Sequence, residues 1–166
     1  MRARPDGGGR VAPATGAASE AMLFDLHFPA RADRLKLARA GVMAAARMCG
    51  FAEPAARDIV LAVDEACQNV IRHAYGDEAA GDMALTLVRR GGSLVVRLRD
   101  FAPTVDRTTI APRPLGRIVP GGLGTHFIRA IMDRVAYLEP PDGCGNLLEM
   151  AKVIPKQENA SDELTG

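Results

Sequence analysis

Residues 61–76 read LAVDEACQNVIRHAYG, and the spacing of their apolar and polar side chains decides how the rest of the chain is read. Val63, Ala66, Val70, Ile71 and Ala74 recur at the three- and four-residue intervals that gather side chains on one face of an α-helix. Glu65, Gln68, Asn69, Arg72 and His73 make a polar stripe beside that face. Glu65, Asn69 and His73 are four apart, so a carboxylate, a carboxamide and an imidazole share one ridge. A stripe of this kind is either a solvated helix face or a row of working groups, and the stretch alone does not choose between them.

Upstream, Pro54 suits the first turn of the same helix, which runs to Gly76. Leu35, Leu37, Ala38, Val42, Ala45 and Ala46 predict another helix over 33–48, ending near Gly50. Before it, MLFDLHF at 22–28 alternates in part and predicts a strand ending at Pro29. Downstream, Met83, Leu85 and Leu87 share one face of a strand over 83–88, and Leu94, Val96 and Leu98 one face of a strand over 94–98. Residues 89–93, centred on Gly91 and Gly92, make the hairpin turn between them. Residues 101–120 are rich in proline and without periodicity, the signature of a long loop, which inside a compact domain is usually functional. The run Gly121-Gly122-Leu123-Gly124 then opens a helix to about Met132, and strands over 134–138 and 147–154 flank a turn over 140–146.

This order predicts an α/β fold: a two-layer sandwich in which a mixed, mostly antiparallel sheet of about five strands is covered on one face by about three helices. A doubly wound dinucleotide-binding fold needs strands and helices in alternation with a glycine fingerprint after the first strand, and neither is present. The expected domain spans 21–155, between a Gly-, Ala-, Pro- and Arg-rich tail at 1–20 and a polar tail at 156–166, both expected to be disordered.

Composition removes several classes of function. The 166 residues suit one domain, and a net charge of +1 with a pI near 7.8 gives no general electrostatic attraction to nucleic acid or an anionic membrane. At 4% aromatic residues, a base-stacking platform is also disfavoured. No apolar run approaches the roughly 20 residues that cross a bilayer, and the start carries no secretory h-region. Cys49, Cys67 and Cys144 contain no CxxC pair and fit reduced thiols in a cytoplasmic protein. His27, His73 and His126 lack metal-ligand spacing, so a metal held by protein side chains alone is not expected.

Four segments in order, EACQNVIRHAY, RDFAPTVD, PGGLGTHFIRAIMD and GNLLEMAKV, resemble the histidine kinase/Hsp90-like (GHKL) ATPase superfamily. Within it they look closest to the anti-sigma-factor serine/threonine kinases of bacteria. The resemblance runs from about Met22 to Pro155 and implies a Bergerat-type ATP-binding fold. It implies that Asn69 holds Mg²⁺ against the nucleotide phosphates and that Glu65, one turn earlier, is the general base. It further implies that Asp100 accepts a hydrogen bond from the adenine amino group, that Gly122 and Gly124 lie at the phosphate end of a lid, and that 101–120 is the lid. These residue types suit those tasks. An amide oxygen is a hard neutral ligand for a cation that binds mainly through phosphates. A carboxylate can take the proton of an incoming hydroxyl, and an acceptor distinguishes adenine from guanine, which presents a carbonyl at that edge.

The sequence departs from the family pattern at Ala102, where glycine is usual two residues after the aspartate, and at Asn146, where threonine commonly follows Gly145. His73 is read either as a packing residue or as support for Glu65. His126, Arg113 and Arg117 are read either as phosphate contacts or as ordinary surface groups. The activity implied is ATP- and Mg²⁺-dependent phosphorylation of a serine on a small antagonist protein by a chain that also binds a sigma factor or comparable regulator. Neither nucleic acid nor membrane is an expected direct partner, and a homodimer is compatible. The alternative, favoured by Ala102, is a catalytically weak module that uses the same fold to bind a signalling partner.

Overall fold

Alternation along two strands sets the layout of the molecule. The computed structural model describes residues 19–75, 81–102, 122–141 and 143–156, with the backbone alone of 122–125. Strands β2 (Asp82–Arg90) and β3 (Ser93–Asp100) pair antiparallel, with Arg90 opposite Ser93 across Gly91 and Gly92. Both glycines have positive φ, 52° and 79°, the condition for a tight two-residue hairpin turn that follows the twist of the strands. That turn fixes register, and register fixes faces. Met83, Leu85, Leu87, Leu94, Val96 and Leu98 all fall on one side and are buried there.

The complete sheet has the order β1-β2-β3-β5-β4, with β1 at Glu20–Pro29, β4 at Arg134–Leu138 and β5 at Asn146–Val153. Every pairing among the described residues is antiparallel. Strand β1 starts earlier than its alternation suggests, because a bulge between Met22 and Phe24 interrupts the pattern while pairing continues to Glu20 opposite Arg90.

Three α-helices, α1 (Leu35–Met48), α2 (Glu53–Val70) and α3 (Gly122–Ile131), join the inner face of the sheet in a single core. A short 3₁₀ turn, Ala32–Arg34, takes the first residues expected for α1. Helix α1 buries Leu35, Ala38, Val42, Ala45 and Ala46, and α2 buries Ala56, Ile59, Ala62, Val63, Ala66 and Cys67. Two arginine–carboxylate forks clamp these helices together. Arg47 at the end of α1 grips Glu53 at the start of α2, and Arg39 holds Asp64 at 2.7 and 3.1 Å. Helix α2 is shorter than its polar stripe implies: it ends at Val70, and Ile71–Tyr75 continue as a π-helical turn. Lys152 anchors the other end of the helical layer, donating to the carbonyl of Ile131 at the C-terminus of α3 and to Asp133.

Cys49 and Cys67 are buried in this core, where burial raises both thiols and pushes Cys67 up to about 12. Cys144, in the turn before β5, is only half-buried.

On the outer face, Glu149 of β5 is 3% exposed and is met by Arg90 at 2.8 Å and Arg97 at 3.0 Å, with Arg134 at 3.5 Å. Glu20 of β1 joins the same two strands of arginine through Arg90 and Arg97. Burial alone would raise the Glu149 carboxyl, but hydrogen bonds from Arg90 and Arg97 overcome it and leave the group below its usual range. A lowered folded-state pKa contributes stability that is complete above the unfolded pKa and lost as pH falls through the folded one. Glu149→Gln is therefore expected to cost about 3 kcal/mol near neutral pH. Urea unfolding of both proteins should show that gap narrowing as pH is lowered from about 6 toward about 3. A gap independent of pH would exclude the ion pairs as its source.

Candidate functional site

The series Leu94, Val96 and Leu98 on β3 ends in Asp100, so parity delivers a carboxylate to the helix-facing side of the sheet at 4% exposure. Such a group must be hydrogen-bonded. The side-chain amide of Asn146, paired opposite it on β5, donates to Oδ1 at 3.2 Å and to Oδ2 at 3.1 Å. The Ala102 N–H adds a third bond to Oδ1 at 3.2 Å, and the Gly145 N–H donates to the Asp100 carbonyl at 2.9 Å. The carboxylate is held as an acceptor of fixed orientation.

Gly145 is required here by space. A Cβ at this position would lie 2.0 Å from the Ala102 carbonyl oxygen and 2.5 Å from Asp100 Oδ1. Ala102, by contrast, needs no glycine, since none of the described non-glycine residues has positive φ. Its methyl departs from the family pattern without backbone strain, and Asn146 supplies donors where a threonine hydroxyl is common.

On α2 the polar stripe divides. Arg72 donates to Gln68 Oε1, Gln68 donates to Asp64 Oδ2 at 2.8 Å, and Asp64 is the group gripped by Arg39. Gln68 and Arg72 thus belong to a surface relay between α1 and α2. Glu65, 24% exposed, lies 3.7 Å from Arg72. Asn69 has no place in the relay: its Oδ1 is buried and has no hydrogen-bond partner. A buried amide oxygen left unpaired costs free energy unless something binds it.

Beyond Val70 the π turn carries Tyr75 to the end of β3. Its hydroxyl accepts a hydrogen bond from the Phe101 N–H at 2.8 Å and donates one to the Asp82 carbonyl at 2.5 Å. Through Tyr75, the helix bearing Glu65 and Asn69 is bonded to the residue next to Asp100. Burial raises the Tyr75 phenol above its ordinary range, so the group keeps its proton and remains a donor.

Gly122 and Gly124 occupy the first turn of α3, which packs against α2 and β4. His73 and His126 are exposed, which excludes His73 as a packing residue. Of the expected lid, only Phe101 and Ala102 fall among the described residues, and Arg113, Arg117 and Gly121 lie outside them, as do both tails apart from their inner edges. No cluster of three or more His, Cys, Asp or Glu side chains able to hold a metal is present among the described residues.

The family described as "Histidine kinase-like ATPase domain" matches residues 28–152. The chain belongs to that family. As a histidine kinase-like ATPase domain it is also related to serine-protein kinases called RsbW. It is 25% identical over 147 residues to that of Bacillus cereus strain AH820 and to that of Bacillus anthracis strain CDC 684 / NRRL 3495, covering 84% of this chain and 89% of each relative. RsbW of Bacillus thuringiensis strain Al Hakam is 24% identical over the same length. Among solved structures, the RsbU and RsbW domains of Rv1364c from Mycobacterium tuberculosis share the fold, with a TM-score of 0.52 and 14% identity. That match covers 78% of this chain and 32% of the longer one.

A family that handles ATP gives the unpaired oxygen of Asn69 a chemical context, because a neutral amide oxygen suits Mg²⁺ held chiefly by phosphates. The donor set therefore fits the nucleotide and its metal. Two residues of this site, Tyr75 and Asp64, carry no functional reading in the sequence. Tyr75 has a signal nonetheless, being one of two tyrosines and standing at the end of the polar stripe. Gly145→Ala is expected to lower the unfolding free energy by about 2 kcal/mol through overpacking, read from urea titration. An unchanged midpoint would mean that the ends of β3 and β5 separate without cost.

Proposed function

We propose that this chain is an ATP- and Mg²⁺-dependent protein serine kinase that doubles as an anti-sigma factor, phosphorylating a small antagonist protein. The observation that carries the reading is the buried, unpartnered Asn69 Oδ1 one helical turn from Glu65, in a chain related to serine-protein kinases. Asn69 holds Mg²⁺ through that oxygen. Asp100, oriented by Asn146 and Ala102, accepts the adenine amino hydrogen, and Gly122 and Gly124 offer backbone N–H groups to phosphate at the start of α3. Mg·ATP supplies the transferable phosphoryl group and the cation that offsets its charge. Glu65 accepts the proton of the attacking serine hydroxyl as the new oxygen–phosphorus bond forms and ADP leaves. A sigma factor, or a regulator like it, is the second partner in this scheme. No described helix is long and apolar enough to cross a membrane.

With labelled ATP, Mg²⁺ and the antagonist encoded nearest this chain, label is expected on a serine of the antagonist. Glu65→Gln should bind ATP as the wild type does while slowing transfer about 10²–10⁴-fold. Transfer at the wild-type rate would remove Glu65 from the role of base. A wild-type protein that binds its partner but shows no Mg²⁺-dependent ATP binding in calorimetry would instead be the catalytically weak module.

A further inference from the structure

The peptide unit between Asp100 and Phe101 is bound at both ends. Its carbonyl accepts from the Gly145 N–H at 2.9 Å, and its N–H donates to Tyr75 Oη at 2.8 Å. The first bond continues the sheet ladder. The second comes from a different layer of the molecule, at the end of the π turn that continues α2. Such widened turns concentrate at functional sites, because the extra residue re-aims the side chains that follow.

Tyr75 is suited to this position in a way phenylalanine is not. Its hydroxyl uses its proton on the Asp82 carbonyl, at 2.5 Å, and a lone pair on Phe101. Only a group that donates and accepts through one atom makes both bonds. The ring lies directly on Gly81, where an added Cβ would come within 1.9 Å of it. Phe101 is held from a further side by His27, whose ring stacks on it at 5.2 Å and whose Nε2 is 3.3 Å from Asp82. Tyr75 and His27 thus converge on the same two residues, Phe101 and Asp82, immediately beyond the buried carboxylate.

We propose that Tyr75 is a positioning residue for base recognition: by fixing the Asp100–Phe101 peptide it sets the direction in which Asp100 presents its oxygens to an adenine amino group. The inference rests on the ATP reading given above. It assigns Tyr75 no contact with the nucleotide and no part in phosphoryl transfer. Its effect is confined to the base end of the ligand, whereas loss of Asn69 or Glu65 acts at the phosphate end.

Calorimetric titration of the full chain with Mg·ATP and Mg·ITP tests this, because inosine lacks the amino group that Asp100 would accept from. Tyr75→Phe keeps the ring over Gly81 and removes only the hydroxyl. It is expected to weaken ATP about five- to tenfold, the effect of one misdirected hydrogen bond, and to leave ITP within about twofold, so the ATP/ITP preference collapses. Gly81→Ala, which displaces the ring while leaving its chemistry intact, should lower the same ratio. General destabilisation would weaken both nucleotides together. If Asp100→Asn abolishes the preference while Tyr75→Phe and Gly81→Ala retain the wild-type ratio, Tyr75 has no positioning role and the ATP reading stands. A wild-type protein that does not prefer ATP to ITP would overturn the base-recognition role of Asp100 and the present inference with it.

Discussion

Strict alternation along β3 is the constraint on which the rest of the molecule depends. Because successive side chains point to opposite faces, the positions that give the core Leu94, Val96 and Leu98 must also turn Asp100 inward. A carboxylate in a core-facing position has to be paired or hydrogen-bonded. The end of the sheet is built around that need: Asn146 opposite, Ala102 folding its N–H back, and Gly145 kept bare so that strand and loop can approach. The polar site is thus the continuation of the core by one residue.

The two faces of the sheet solve burial differently. The inner face is closed by three helices whose buried positions are largely alanine and valine, small enough for α1 and α2 to lie close together. On the outer face, Val88 and Val95 are buried without belonging to that core, beside a lattice of Arg90, Arg97, Arg134, Glu149 and Glu20. The aliphatic stems of the arginines cover apolar surface there while their heads satisfy Glu149. Charge and hydrophobicity are stacked in one layer.

Most of the architecture is legible in the sequence because it follows from local periodicity. The apolar intervals of α1 and α2, the alternation of β2 and β3 and the double glycine between them suffice to place those elements, with ends off by a few residues. The exceptions have specific causes. The bulge in β1 breaks alternation while keeping pairing, and the π turn at Ile71–Tyr75 has no signature in residue type. For the site, the roles of Glu65, Asn69 and Asp100 come to the sequence through resemblance. What the structure adds is environment: an orphaned amide oxygen on Asn69, three hydrogen bonds on Asp100, and an Arg39–Asp64–Gln68–Arg72 relay that claims two of the five residues of the polar stripe. Tyr75 escapes the sequence because its partner, Phe101, is 26 residues away, and the sequence marks Asn146 only as a departure because the Asp100 it holds is 46 residues away.

The distribution of sulfur in this fold has a practical side. Cys49 and Cys67 are shut inside the helical layer with their thiolate forms suppressed, so at neutral pH neither is a nucleophile. Cys144 alone stands where solvent reaches it, in the turn that leads through Gly145 into Asn146. An environment-sensitive dye coupled to the unaltered protein would therefore sit at one address, two residues before the Asn146 whose amide holds Asp100. The chain carries its own optical attachment point, and rearrangement at this end of the sheet can be followed as a change in emission without introducing a cysteine.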